Sequence, residues 1–199
     1  MCKTNTNFAF KIMMEAELQK TLHVLKQGGL IVYPTDTVWG IGCDATNKTA
    51  VAKIFKIKER EESKSLVILV DGIEMLKNYI AQFPNQVDKI LSSSNRPTTI
   101  VYSNPKGLAK NAIAHDNTIA IRIVNHNFCK TLIAKFGKPI VSTSANISNF
   151  STPKSFKEID KSILEAVDYV VNLDRDKIMD KPSRIIKILE EGTLQIIRD

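Results

Sequence analysis

Three cysteines are all that 199 residues contain (Cys2, Cys43 and Cys129), and no two stand at C-x-x-C spacing. That scarcity argues against a disulfide framework or a cysteine-rich zinc site and fits a reducing cytoplasm. The three histidines, His23, His115 and His126, are equally dispersed, so no metal site is expected. No apolar run approaches the roughly 20 residues that span a bilayer. The opening MCKTNTNFAFKIMM has neither a long apolar core nor a small-residue cleavage site, so no signal peptide or membrane association is expected and the location is read as cytoplasmic. Repeats and low-complexity segments are missing. So are the G-x-x-x-x-G-K-[ST] phosphate loop and the G-x-S-x-G context of a hydrolase serine.

What is present is charge of one sign. Lys and Arg number 28 against 21 Asp and Glu, a net charge of +7. Such an excess favours anionic partners (nucleotides, phosphates or RNA), the plainer alternative being a solvated lysine surface. The apolar fraction of 43% is ordinary, and the length suits one domain with a real core, expected over 1–199.

Met14, Leu18, Leu22 and Leu25 recur at helical spacing and predict a helix over 14–27, closed by Gly28-Gly29. LIVY predicts a short strand stopped at Pro34, and the following PTDTVWGIG reads as a loop. Ala50, Val51, Ile54 and Phe55 predict a helix over 47–56. LVILV (66–70) is uniformly apolar, as in a strand covered on both faces. Helical patterns follow at 74–79 and 87–91, and strands at TTIVYS and TIAIRIV. A helix carries Phe128, Leu132, Ile133 and Phe136 and is closed by Gly137; PIVST is a further strand. Ser155 and Glu158 form a capping-box pattern that predicts a helix through Ile159, Ile163 and Ala166. DYVVNL returns as a strand, and RIIKILEEGTLQIIRD reads as a hairpin turning at Glu191-Gly192-Thr193. Strands alternating with helices give a helix-covered α/β sheet, and the hairpin makes it mixed.

Four polar patches follow or interrupt strands: Thr35-Asp36-Thr37; Lys58, Arg60 and Lys64; Arg122; and Ser142-Thr143-Ser144-Ala145-Asn146. Ligands of open α/β sheets bind at strand ends, so one shared crevice is expected. On a continuous helix Lys58 and Arg60 would point nearly opposite ways. To hold one anion, the helix must end by Lys58; otherwise they are a solvated helix end. Arg122, between Ile121 and Ile123, either faces solvent by strand alternation or is buried and needs a partner. STSAN offers hydroxyl and amide groups for an anion, or a capped turn. Gly40 and Gly42 permit close backbone approach or positive φ, and Trp39 either covers a ligand or packs in the core. Cations, hydroxyls and amides with one carboxylate, Asp36, and no clear acid–base pair suit a reaction driven by positioning anions and stabilising charge, such as nucleotidyl transfer.

YPTDTVWGIG, KIKEREESKSL, IAIRIV, PIVSTSANIS and KPSRIIKI, in that order over nearly the whole chain, resemble the YrdC family, the threonylcarbamoyl-adenylate synthases of tRNA modification. The resemblance implies a single-domain, open, twisted mixed sheet with helices on its faces, curled around a basic cavity. It implies formation of threonylcarbamoyl-AMP and pyrophosphate from L-threonine, bicarbonate and ATP. ATP would be a substrate, with Mg²⁺, and no prosthetic group is implied. The product would pass to a tRNA threonylcarbamoyl transferase complex, and the basic surface could contact tRNA. By the same resemblance, Lys58 and Arg60 would be catalytic. They would grip ATP together with Lys64, Ser142, Ser144, Asn146 and Arg198, while Thr35, Asp36, Thr37, Thr99, Arg122 and Ser183 would hold threonine.

The chain departs from the family pattern where Glu61 and Ser65 replace prolines, Arg96 replaces a glycine and Val124 a proline. Arg184 follows Pro182-Ser183, and Asn149 stands where glycine is common. The polar signature survives while shaping residues vary. Two other functions therefore stand beside synthesis: a non-catalytic RNA-binding or regulatory relative, and a hydrolase of a nucleotide-linked carbamate.

Overall fold

The computed structural model describes residues 3–60, 66–189 and 193–199, with side chains from residue 8 onward. Helices α1 (Lys3–Lys26), α2 (Lys48–Ile57), α3 (Ile73–Asn78), α4 (Gln86–Ser93), α5 (Asn127–Phe136) and α6 (Lys161–Glu165) alternate with strands β1 (Ile31–Tyr33), β2 (Gly40–Gly42), β3 (Val67–Val70), β4 (Thr98–Ser103), β5 (Thr118–Ile123), β6 (Ile140–Ser144), β7 (Tyr169–Val170), β8 (Arg184–Ile188) and β9 (Leu194–Arg198). The strands form one sheet in the order β7-β1-β2-β6-β3-β5-β4-β8-β9. Parallel pairs (β1·β7, β3·β5, β4·β8) mix with antiparallel ones. Among the described residues no helix is long and apolar enough to cross a membrane.

Strand alternation sends side chains to two cores. Val32, Ile41, Ile68, Val70, Ile100, Ile121 and Val141 face one way and are covered by α2, α3, α4 and α6. Ile31, Tyr33, Leu69 and Ile140 face the other, under Leu18, Leu22 and Leu25 of α1 and Phe128, Leu132 and Ile133 of α5. Each fully buried side chain of this size contributes about 1.5–3 kcal/mol. Buried Glu17 pins α1 to the β7 edge, accepting from Tyr169 Oη and Asn172 N, both at 2.8 Å. Helices α1 and α5 cover only part of the second face. The rest, from β2 across to β9, carries the cavity described below.

Three elements differ from the reading of the sequence. GIG is a strand, not a loop: it lies between β1 and β6, where a Cβ on Gly42 would come within 2.6 Å of the Tyr33 ring and of Val141 O. Gly42 is therefore required by close approach, not by positive φ. Where the Ser155–Glu158 box is expected there is only one 3-10 turn, Phe156–Glu158. The chain extends at Ile159, and α6 starts anew with Asp160 Oδ1 accepting from Ser162 N at 2.8 Å. Helix α1 begins eleven residues before the expected start at Met14. The hairpin forms as read, with Leu189 N donating to Thr193 O at 2.9 Å; of its turn, Glu191 and Gly192 lie outside the described residues.

Candidate functional site

Strand register sets a row of residues across the open face. Gly40 pairs with Ser144, Val67 with Ser142, Leu69 with Arg122, Thr99 with Ile185, and Ile185 with Arg198. From β2 to β9 are six strand spacings, roughly 29 Å if flat at about 4.8 Å each. Yet Gly40 and Arg198 line the same cavity of about 220 Å³. The sheet must therefore curl into a trough, which turns a row of side chains into an enclosure.

Arg122 is buried, 4% exposed, and points into this cavity rather than to solvent. Its Nη2 donates to Asp36 Oδ1 and to Thr37 Oγ1, both at 3.1 Å, and its buried Nε has no acceptor among the described residues. The other Asp36 oxygen accepts from Asn125 N at 3.0 Å. Arg198 donates through Nε and Nη2 to Ser183 O at 3.0 and 2.7 Å, and Ser183 Oγ shares a 2.7 Å hydrogen bond with Thr99 Oγ1. Burial, and then the nearby Arg122 and Arg96, pull the Arg198 guanidinium below its usual value; burial does the same to Arg60. The described lining includes three guanidiniums (Arg60, Arg122 and Arg198) and no carboxylate. A cavity so built selects anions.

Arg60 reaches it because α2 ends abruptly. Asn47 Oδ1 caps its start, accepting from Thr49 N and Ala50 N. At its end Glu59 takes φ 49°, and Arg60 N donates back to Phe55 O at 3.0 Å. This reversal usually employs glycine, because a Cβ is strained there. We expect Glu59→Gly to raise stability by about 1 kcal/mol, read as a higher urea midpoint. A lower midpoint would mean that the Glu59 side chain contributes more than the strain costs.

Lys58 lies behind Arg60, 2% exposed. Its Nζ donates to Ser144 O at 2.6 Å and to Asn146 O at 2.5 Å. Burial, followed by the adjacent Arg60, brings its ammonium down to about 8. Unfolded lysine titrates near 10.4. Below about pH 8 both states are charged and the burial penalty is felt in full. Between there and about pH 10.4 the unfolded chain binds more protons, so stability rises with pH, by up to about 1.4 kcal/mol per unit. Urea unfolding at pH 8, 9 and 10 is expected to show this rise in the wild type and not in Lys58→Met. A wild-type slope no steeper than the variant's would refute it.

The expected site residues thus separate. Arg60, Ser142, Ser144, Thr37, Arg122, Ser183 and Arg198 line the cavity; Lys58, Asn146, Thr35 and Thr99 do not, and Asp36 lines a neighbouring cavity with Asn125 and Arg96. Thr35 Oγ1 is spent within its own turn, on Val38 O at 2.8 Å and Thr37 N at 3.0 Å. The Asn146 amide donates to Ile147 O at 2.9 Å and Phe150 O at 2.8 Å. Lys64, with Glu61 and Ser65, lies outside the described residues. Trp39 is fully buried against Phe156, 5.1 Å between ring centres, which is a core role. Cys43 is buried, and burial pushes its thiol far above the usual range, so it is no nucleophile. Thr152, Pro182 and Val38 also line the cavity and were not singled out from sequence. Thr152 carried one faint signal, its place in the polar SNFSTPKS stretch just after STSAN.

This is an α/β sheet curled round an anion-selecting cavity. The profile of the Sua5_yciO_yrdC family, described as "Telomere recombination", matches residues 23–199. The chain is 35% identical over 161 residues to the Threonylcarbamoyl-AMP synthase of Pseudoalteromonas translucida, covering 79% of this chain and 86% of that one. It is 28% identical over 186 residues to that of Xanthomonas euvesicatoria, covering 92% and 97%. Among solved structures it resembles P. abyssi Sua5 complexed with L-threonine (TM-score 0.78, 23% identity), covering 91% of this chain and 53% of that one. It also resembles E. coli YciO (TM-score 0.80, 21% identity, 94% and 89% covered). The chain belongs to the Sua5/YciO/YrdC family.

Proposed function

We propose that the protein is an L-threonylcarbamoyladenylate synthase, an ATP-dependent nucleotidyltransferase. The observation that carries this reading is the convergence of Arg60, Arg122 and Arg198 on one cavity with no described carboxylate in its lining. Relatives that bear the synthase name, at up to 35% identity among those given above, support it. In this reading the threonine carboxylate takes the free donors of Arg122, beside Thr37. Asp36 and Thr35 hold that pair of groups in place. The triphosphate lies toward Arg60 and Arg198, with Ser142 and Ser144 as neutral donors. About 220 Å³ is less than the roughly 300–1,000 Å³ of pockets for drug-sized ligands. The enclosed part therefore takes the amino acid and the reacting phosphate, and the nucleoside extends beyond it.

The chemistry needs little acid–base machinery. The threonine amine takes up the bicarbonate carbon with loss of water. An oxygen of the resulting carbamate attacks the α-phosphorus, and the bond to pyrophosphate breaks. Charge builds on the departing pyrophosphate, where the fixed guanidiniums stabilise it. Among the described residues no cluster of histidine, cysteine and carboxylate groups could hold a metal ion. Mg²⁺, which keeps much of its water shell and is bound largely through substrate phosphates, would arrive on the triphosphate as part of the substrate. The product is an activated carbamate suited to transfer onto a tRNA adenosine by a separate transferase complex. The test is pyrophosphate release from ATP. Release that needs both threonine and bicarbonate supports synthesis. ATP turnover indifferent to either, or salt-sensitive RNA binding without turnover, would replace it with one of the other two functions.

A further inference from the structure

The Lys58-Glu59-Arg60 and Ser144-Ala145-Asn146 segments lie more than 80 residues apart, and their side chains behave unequally. Arg60 and Ser144 line the cavity, whereas Lys58 and Asn146 turn their donors onto backbone carbonyls. We infer that Lys58 and Asn146 are positioning residues, which brace the turn at residues 144–150 so that Ser144 and Arg60 meet the substrate's phosphates, and that the Lys58 ammonium makes no phosphate contact itself. This inference rests on the ATP-dependent reading above and assigns the phosphate contact within it.

The brace has three strands of support. Lys58 Nζ takes the carbonyls of Ser144 and Asn146 from outside the turn. The main chain returns the bond, Ser148 N donating to Lys58 O at 2.8 Å. From inside, the Asn146 amide closes the turn on Ile147 O and Phe150 O. Both amide protons are thus used on carbonyls, and the carbonyl oxygen of Asn146 is an acceptor with nothing to offer a phosphate. Lys58 is sealed from the cavity by this packing, at 2% exposure. Among the described residues, Arg60 acts on it from its own segment, Glu59 is exposed, and residues 144–150 carry no ionisable side chain. A neutral amine still has two N–H groups, one for each carbonyl, so the brace survives loss of the proton. A phosphate contact would not survive it, because a charge-assisted bond depends on the ammonium.

Two measurements test this. The first is the affinity of the wild-type protein for ATP by calorimetry at pH 7.0, 8.0 and 9.5, which span the ammonium's titration near pH 8. Less than a threefold change is expected; a weakening of tenfold or more by pH 9.5 overturns the inference. The second is the backbone amide spectrum without nucleotide. Lys58→Met should displace the resonances of residues 144–150, and Arg60→Met should leave them in place. An undisturbed turn in a folded Lys58→Met protein overturns the inference. Should that variant not fold, the pH series on the wild type decides. If the wild type binds no ATP at any pH, the synthase reading fails, and the amide spectra alone judge the brace.

Discussion

Replacing Arg122 with methionine is expected to cost about 3–5 kcal/mol of stability and to abolish threonine-dependent pyrophosphate release. The stability loss comes from Asp36. Both partners of the ion pair are buried, with side chains 5% and 7% exposed, so removing the guanidinium strands a carboxylate away from water. Among the described residues, the bond from Asn125 N is then all that holds it. A second change, Asp36→Leu, should restore most of the lost stability, because an apolar pair tolerates burial that a lone charge does not. It should restore no activity, since the threonine carboxylate still lacks its counter-charge. Urea denaturation and pyrophosphate release on the single and double variants separate the two effects. A double variant that regains turnover would mean that Arg122 supports the fold and not the substrate.

Arg60→Ala is expected to lower kcat/KM by about 10²–10³-fold, the usual consequence of deleting one fixed donor at a centre of developing charge. Arg60 enters the cavity from a chain reversal, not from the sheet, so the floor should survive its truncation. The comparison is steady-state pyrophosphate release by Arg60→Ala against the wild type, with circular dichroism to check the fold. Activity within threefold of wild type would remove Arg60 from the phosphate site.

Most strands and helices were legible because their apolar residues repeat at two or at three to four positions, and because Gly28 and Gly137 mark helix ends by their positive φ. Strand β2 was not legible. Glycine is depleted in strands, and what demands it at position 42 is the Tyr33 ring and a β6 carbonyl, neither of them local. The capping box read at Ser155 does not form: its hydroxyl donates to the Glu158 carboxylate and caps no backbone N–H, and the helix starts instead five residues on, where Asp160 accepts from Ser162 N. At the site, residue types foretold the cavity's charge, and strand position foretold Ser142 and Ser144. Whether Arg122 faced in or out could not be settled by alternation. The covered part of its face ends between Leu69 and Arg122, which are register partners on neighbouring strands. Nor does the sequence Lys58-Glu59-Arg60 reveal that its lysine is spent on two carbonyls 86 and 88 residues away.

The trough takes its lining from Thr37 near one end of the chain and from Arg198 near the other. A bound substrate therefore ties together segments far apart along the chain, and a molecule opened between them forfeits most of its affinity. Saturation at a hundredfold the dissociation constant would add about 2.7 kcal/mol against global opening, so the working protein should resist proteolysis better than the idle one.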